Sequence, residues 1–504
     1  CPAGARAVFR RAGVRLTRLL EGLAVRFAEG SPDPEVTGVS HDSRQVTPGD
    51  LFVAWKGGRF DGTLFAPGAA EEGAVALLVP SGSLRPAVLP AKVAWVTADD
   101  PHALLPHLAA RAYGEPQRDL LMAGVTGTNG KSTVSTLIAR LIETAGRPCG
   151  LIGSLGFFFG DHKYAKGRTT PEGSDFFRLL ARMRDDGAQA VAMEVSSHAL
   201  SLGRIAGTTF DVAVFTNLSR DHFDFYRDFE DYYQAKRKLF EMLEPEARAA
   251  VNRDDPWGAR LAGELADPIT FGEREGDVHP LDVVLDDRGI RGTLATPRGK
   301  LDFDSQLIGN FNLLNLLAAV AAVECLELPH GAVADGLARQ RPLIGRMEPV
   351  VRGQPFPVFI DYSHTDQALT AALTSLRQLS DRRLIVVFGC GGDRDQGKRP
   401  LMGRVAGELA DVPILTSDNP RTEDPLKIIA EVETGVKESG NTAYRVVVDR
   451  RDAIRLGVDL ADERSALLIA GKGDEPIQVI GDEEHPFYDF DEAVAALEER
   501  FGAG

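Results

Sequence analysis

From residue 124 to residue 133 the chain reads Gly-Val-Thr-Gly-Thr-Asn-Gly-Lys-Ser-Thr. An apolar run at 119–123 precedes it and suits a short buried strand. After it, Val134, Leu137, Ile138, Leu141 and Ile142 recur at helical spacing. A strand, a glycine-rich turn and a helix N-terminus focus backbone N–H groups and positive potential on a phosphate. In such a loop Lys131 reaches the terminal phosphates and the Ser132 hydroxyl ligates Mg²⁺. The strict spacing G-x-x-x-x-G-K-[ST] is missed by one residue when counted from Gly124. The competing reading is a plain glycine-rich turn with an incidental lysine.

Four further clusters could do chemistry. Thr169-Thr170-Pro171-Glu172 offers two hydroxyls, which taken alone read as a helix cap. Glu194, in Glu194-Val195-Ser196-Ser197-His198, ends an apolar strand where a carboxylate can ligate Mg²⁺; an ion-paired or capping glutamate is the alternative. Asn217-Leu218-Ser219-Arg220-Asp221-His222-Phe223-Asp224 packs polar groups into another strand-end loop. Residues 232–240, Tyr-Tyr-Gln-Ala-Lys-Arg-Lys-Leu-Phe, read by themselves as a basic amphipathic helix with a solvated face.

The elements that must position these groups alternate strand and helix, which predicts parallel, covered sheets. Residues 14–115 read as a small α/β unit, with helices predicted over 16–23 and 60–73 and strands near 36–39, 51–54 and 74–79. Strands at 190–193 and 212–216 continue the pattern. Residues 270–310 suggest an antiparallel hairpin insertion, and 312–325 a strong helix. Five strand-like runs follow, at 356–361, 384–388, 412–416, 444–448 and 466–470, and predict a second doubly wound sheet. Polar residues at the carboxyl ends of such strands stand where open α/β sheets bind ligands.

The 504 residues allow several cores, and a net charge of −16 argues against a nucleic-acid-binding body. Cys1, Cys149, Cys325 and Cys390 lack metal-ligand spacing and read as reduced thiols. No apolar run is long enough for a membrane span. The Ala/Arg-rich residues 1–13 read as a disordered or misassigned leader. A cytoplasmic monomer is expected.

Together with Cys390-Gly391-Gly392-Asp393-Arg394-Asp395 and Asp418-Asn419-Pro420-Arg421, these motifs resemble the Mur ligase family of ATP-dependent amino-acid ligases. The resemblance runs over essentially the whole chain from about residue 14. Gly127-Thr128-Asn129-Gly130-Lys131 is that family's own phosphate loop, which accounts for the spacing. The two later motifs resemble its diaminopimelate-adding branch. The resemblance implies three α/β domains: a UDP-sugar-binding domain at 14–116, a central P-loop ATPase domain with a parallel sheet at 117–342, and a Rossmann-like amino-acid-binding domain at 343–504.

It also implies roles by position. ATP falls to Gly127, Thr128, Asn129, Gly130, Lys131, Ser132 and Thr133, with Asn315 at the adenine and Arg346 and Asp361 closing on the nucleotide. One Mg²⁺ falls to Ser132 and Glu194. A second falls to His222 and to Lys236, carbamoylated by CO₂. Lys131, Glu194, His222 and Lys236 form the implied catalytic set. The UDP-N-acetylmuramoyl dipeptide falls to His41, Ser43, Thr169, Thr170, Ser196 and Arg204. The incoming amino acid falls to Arg394, Asp418, Asn419, Pro420, Arg421, Gly471 and Glu475. The implied reaction adds meso-diaminopimelate to UDP-N-acetylmuramoyl-L-alanyl-D-glutamate through an acyl phosphate, with the C-terminal domain closing on its ligands.

meso-Diaminopimelate differs from lysine by a distal carboxylate, which a guanidinium such as Arg421 can hold in a fork of two hydrogen bonds. The chain departs from the family at Leu202 (often Gln), Asp366 (usually Pro) and Asp474 (often His). The first removes one substrate hydrogen bond; the last stands beside the amino-acid site and bears on amino-acid choice. The alternatives are the same reaction with L-lysine, a folylpolyglutamate-type ligase, and a noncatalytic nucleotide-dependent switch.

Overall fold

The computed structural model describes residues 13–57, 60–165, 167–286, 288–379 and 381–502. Most of the leader expected at 1–13 therefore lies outside the described residues. The chain forms two compact units. The first holds residues up to 124 with 147–211 and 241–246; the second holds 125–146, 212–240 and 247–504.

The first unit opens with a five-stranded sheet in the order Val25–Phe27, Ala94–Ala98, Ala76–Pro80, Asp50–Val53, Gly38–Ser40. Four of these strands run parallel, and Val25–Phe27 is antiparallel at the edge. One face packs Phe52, Leu77, Val79 and Trp95 against Ala66 and Ala69 of the helix Ala66–Glu71. The helix expected over 60–73 is shorter because Asp61 accepts from Thr63 N and starts a 3₁₀ turn, Gly62–Phe65, first. The helix expected over 16–23 spans only Leu16–Leu19. The same unit carries His162–Ala165, Gly156–Phe159 and Cys149–Gly153 as an antiparallel ribbon, with Ala190–Glu194 parallel to the last.

The strand Leu121–Thr126 leads into the second unit, where the helix Lys131–Thr144 begins directly after the glycine-rich turn. The expected insertion is a three-stranded antiparallel sheet, His279–Asp286, Gly289–Thr296 and Gly299–Ser305. Asn310–Cys325 is the strong helix, buried nearly all round.

All five later strand-like runs form one six-stranded sheet. Its order is Glu348–Pro349, Val358–Asp361, Ser465–Ala470, Arg383–Phe388, Val412–Leu415, Arg445–Val446. Only the first strand is antiparallel to its neighbour. Alternation along Arg383–Phe388 shows why both faces are covered. Leu384, Val386 and Phe388 pack on the helices Asp366–Leu379, Lys398–Leu409 and Pro425–Glu438. Ile385 and Val387 pack on Arg450–Leu460 and Asp489–Phe501. Burying each such side chain stabilises the fold by roughly 1.5–3 kcal/mol. Asp366 occupies the first turn of its helix, where an acid suits the dipole and a proline would equally suit the backbone. Among the described residues no helix is long and apolar enough to cross a membrane.

Candidate active site

The phosphate loop is braced by the loop that leaves the strand Phe210–Phe215. Asn217 supplies its carbonyl to Thr128 N and its Oδ1 to Asn129 N, each at 2.9 Å, and Thr216 Oγ1 donates to the Asn129 carbonyl at 2.6 Å. Two glycines are required. Gly127 has φ +149° and lies against Thr216 Oγ1; Gly130 has φ +87° and lies against Asn315 Oδ1. A Cβ at either would collide, and Gly130 alone lets the chain turn into the helix. Asn315, implied to meet adenine, thus also packs on the last glycine of the loop. G130A is expected to strain the loop by about 1–3 kcal/mol and to raise the KM for ATP about tenfold or more; an unchanged ATP KM would disprove the fit.

Lys131 Nζ folds back on the Gly127 and Thr128 carbonyls, at 3.1 and 2.8 Å. Ser132 and Thr133 are buried in the first helical turn.

Lys236 overturns the solvated-face reading of residues 232–240. It lies on the inner stripe of the helix Phe229–Arg237 with Tyr232, Tyr233 and Ala235, and is 1% exposed. Its Nζ donates to the Gly127 carbonyl at 2.7 Å and sits 4.3 Å from the Tyr232 ring centre. Burial, and then the nearby Lys131 charge, push its pKa well below the ordinary lysine value, against the pull of Asp221. The spacing could have revealed this, since Tyr232, Lys236, Leu239 and Phe240 share one helical stripe.

His222 adopts φ +58° and places Nε2 3.4 Å from Asp221. Asp221 is buried, and the same carboxylate oxygen, Oδ2, lies 3.7 Å from His364 Nε2. Burial alone would raise its pKa, but His364, His222 and Lys398 outweigh that and hold it well below the carboxylate range. Next to it, Arg220 makes a two-pronged ion pair with Asp395, at 3.0 and 3.2 Å, and lies over the Phe223 ring. Asn129 Nδ2 donates to Gln367 Oε1 at 3.3 Å. His364, Gln367 and the partnership of Arg220 with Asp395 were not legible in the sequence.

The C-terminal residues gather at the carboxyl ends of their sheet, as open α/β sheets require. Asp361 is buried and accepts from Met347 N and Ser363 N, at 2.8 and 2.9 Å. Arg346 lies over the Tyr362 ring and 3.3 Å from Asp474. The acid at 474 therefore pairs with the arginine implied for the nucleotide. The turns 391–394 and 418–422 are laced together: Gly392 N donates to the Asn419 carbonyl, and Thr422 to Asp393. Arg399, fully buried, ties Gly391, Glu423 and Glu431 beneath them. Arg421 has φ +52° and donates to the Gly392 carbonyl at 2.7 Å. Burial, then the neighbouring Arg394 charge, lower its pKa. Two guanidiniums that repel each other are prepared for a shared anion. Pro420 leads into this turn, a Cβ at Gly471 would press on Asp418 Oδ2, and Glu475 accepts from Asn419 Nδ2 at 2.8 Å.

In the first unit the implied substrate residues form a second group. Thr170 is fully buried and does not cap the following helix, Gly173–Asp185. Its hydroxyl donates to the Glu194 carbonyl at 2.9 Å and accepts from Ser196 N at 3.0 Å. Thr169 precedes it, half-buried. Arg204 pairs at 3.1 Å with Glu172, which also holds His102 and Arg168. Burial would raise the pKa of Glu172, but His102 and Arg204 lower it overall. His41 lies 2.7 Å from Ser174 Oγ and stacks on Trp55, which stacks on His102. His41, Arg168 and Glu172 line one cleft of about 340 Å³. Ser43 opens the turn Ser43–Gln45 and does not line that cleft. Leu202 is exposed at the end of the helix Ser197–Ser201. Glu172, Trp55 and His102 were missed as site residues, although Glu172 stands in a motif that the sequence marks.

Glu194 is buried and accepts from Ser154 N and Oγ at 2.8 and 3.0 Å. Among the described residues no three His, Cys, Asp or Glu side chains converge on a metal position. The Ser132 hydroxyl and the Glu194 carboxylate are each hard oxygen donors of the kind that Mg²⁺ takes. Lys236 fits the second implied position, with His222, only as a carbamate, because an ammonium has no lone pair to give.

Three family models cover the chain: "Mur ligase family, catalytic domain" at 35–113, "Mur ligase middle domain" at 125–323 and "Mur ligase, glutamate ligase domain" at 345–473. The chain belongs to the Mur ligase family and is an ATP-dependent ligase. It is 40% identical to the UDP-N-acetylmuramoyl-L-alanyl-D-glutamate--2,6-diaminopimelate ligase of Geobacter metallireducens, over 97% of this chain and 100% of that one. It is 43% identical to the enzyme of the same name from Gloeobacter violaceus, over 94% and 96%. A solved structure of a ligase of that name aligns with TM-score 0.66 and 32% identity, covering 97% of this chain and 99% of that one. A Mycobacterium tuberculosis folylpolyglutamate synthase complexed with ADP and AMPPCP shares the fold, with TM-score 0.61 at 20% identity over 80% of this chain and 96% of that one.

Proposed function

We propose that the chain joins meso-2,6-diaminopimelate to the D-glutamyl carboxylate of UDP-N-acetylmuramoyl-L-alanyl-D-glutamate, in the cytoplasm, using ATP. The observation that carries the substrate choice is the pair Arg394 and Arg421 beside Asp418 and Glu475, at the carboxyl ends of one sheet. The acids suit an amine and the guanidiniums suit carboxylates, which matches an amino acid with one carboxylate more than lysine. The names of the full-length relatives support the same reading.

The γ-phosphate passes to the substrate carboxylate and gives an acyl phosphate. The diaminopimelate amine attacks its carbonyl carbon, phosphate leaves, and an amide remains. The loop amides and Lys131 hold the phosphates and offset the repulsion between a carboxylate and a polyanion. Mg²⁺ held by Ser132 and Glu194, and by His222 with carbamoylated Lys236, would add to that charge neutralisation. Thr170, Ser196 and Arg204 orient the acceptor peptide, and the domains divide at about 116 and 342.

Phosphate release with the UDP-muramoyl dipeptide, comparing meso-diaminopimelate with L-lysine, tests this. Turnover with diaminopimelate and little with lysine is expected. A preference for lysine would retain the ligase and refute the arginine argument.

A further inference from the structure

We infer that Lys472 is a positioning residue for the incoming amino acid: its buried ammonium locks the Asn419 side chain and thereby aims Glu475 at the substrate amine. The inference rests on the amino-acid pocket proposed above and extends it.

Lys472 follows Gly471, on the turn leaving the strand Ser465–Ala470, and is fully buried. A buried ammonium is costly unless its donors are matched. Here three donors meet three acceptors: Asn419 Oδ1 at 3.1 Å, the Ile477 carbonyl at 2.6 Å and Glu475 Oε2 at 3.4 Å. Asn419 Oδ1 also accepts from Val479 N at 2.9 Å. Two donors aimed at one atom identify it as oxygen, so the Asn419 amide can face only one way. Its Nδ2 must then donate to Glu475 Oε2, at 2.8 Å.

Glu475 Oε2 is thus held by two donors from beneath, the Asn419 amide and Lys472. Its other oxygen, Oε1, has the long contact with Tyr362 OH at 3.4 Å, one that an ammonium can displace. Asp418 stands alongside, its Oδ1 taken by Asn419 N. An apolar side chain would fill the Lys472 slot with no charge to bury. What the lysine adds is orientation of Asn419 and, through it, of Glu475.

The test is steady-state kinetics on K472M, E475Q and the double variant, with KM measured separately for all three substrates. K472M is expected to raise the KM for meso-diaminopimelate about tenfold or more, with the KM values for ATP and the UDP-dipeptide within about twofold of wild type. If Lys472 acts through Glu475, K472M/E475Q is no worse than E475Q alone. K472Q, which keeps a donor, replaces K472M if the latter does not fold, with the same pattern expected. Equal rises in all three KM values, or additive losses in the double variant, would mean a merely structural lysine and overturn the inference. Wild-type turnover with an unchanged amino-acid KM in K472M overturns it alone. Absence of diaminopimelate-dependent turnover in wild type overturns the pocket reading and this inference with it.

Discussion

Replacing Lys236 with methionine is expected to lower kcat by about three orders of magnitude or more and, in CO₂-depleted buffer at neutral pH, to raise the thermal midpoint. The two effects have one cause. The fold encloses the amine, sets it against the Tyr232 ring and the Gly127 carbonyl, and places Lys131 nearby. An apolar replacement of similar size removes a buried charge, a change worth about 1–4 kcal/mol of stability in comparable cases. The pH dependence has a definite sign. The folded pKa lies below the unfolded one, so between them the unfolded chain binds more protons and wild-type stability rises with pH. The advantage of K236M is therefore largest at low pH and fades as the pH approaches the ordinary lysine range. Activity fails for a separate reason. The depressed pKa raises the share of the neutral amine, the form that takes up CO₂, and the resulting carbamate would supply the oxygen ligand that the proposed metal site needs. Thermal melts at pH 6 and pH 9, with kcat measured with and without added bicarbonate, check both parts. A K236M protein that keeps its activity, or melts lower at every pH, would refute the account.

R421A is expected to raise the KM for meso-diaminopimelate by about 30- to 5,000-fold, from the roughly 2–5 kcal/mol that a buried charged partner contributes. The backbone there is left-handed, at φ +52°. Alanine and arginine are both unfavourable in that conformation, so the change reports mainly on the guanidinium. R421K keeps the charge and loses the fork, and should fall between the two. The sharper readout is selectivity: the ratio of kcat/KM for diaminopimelate over lysine should collapse in R421A, because lysine has no distal carboxylate to lose. An unchanged ratio would move the discriminating contact elsewhere, with Arg394 the next residue to test.

Much of this was legible before any coordinates, for identifiable reasons. The phosphate loop reads from sequence because its glycines answer a local requirement, φ +149° at Gly127 and φ +87° at Gly130. The C-terminal cluster reads because apolar strand runs end in polar residues, and parallel sheets place those ends together. Other features depend on packing that no local pattern encodes. Lys472 sits between two glycines in a polar turn, which normally means exposure, yet it is fully buried against Asn419, Glu475 and Ile477. Thr170 reads as a helix cap because it stands directly before Pro171, a residue type that starts helices; its hydroxyl instead bridges to Glu194 and Ser196. His364 meets Asp221 across 143 residues of chain, and Arg220 meets Asp395 across 175. No periodicity reports such separations.

Arg394 and Asp395 are adjacent on one short turn, yet they serve different neighbours. Arg394 is assigned to the incoming amino acid, while Asp395 grips Arg220 on the loop that also carries Asp221 and His222. A ligand that draws Arg394 inward therefore pulls on the same backbone that anchors the histidine loop. On the roles proposed above, the two ends of the reaction share one turn: the histidine loop is anchored through Asp395 to the same backbone that carries the residue assigned to the amine donor.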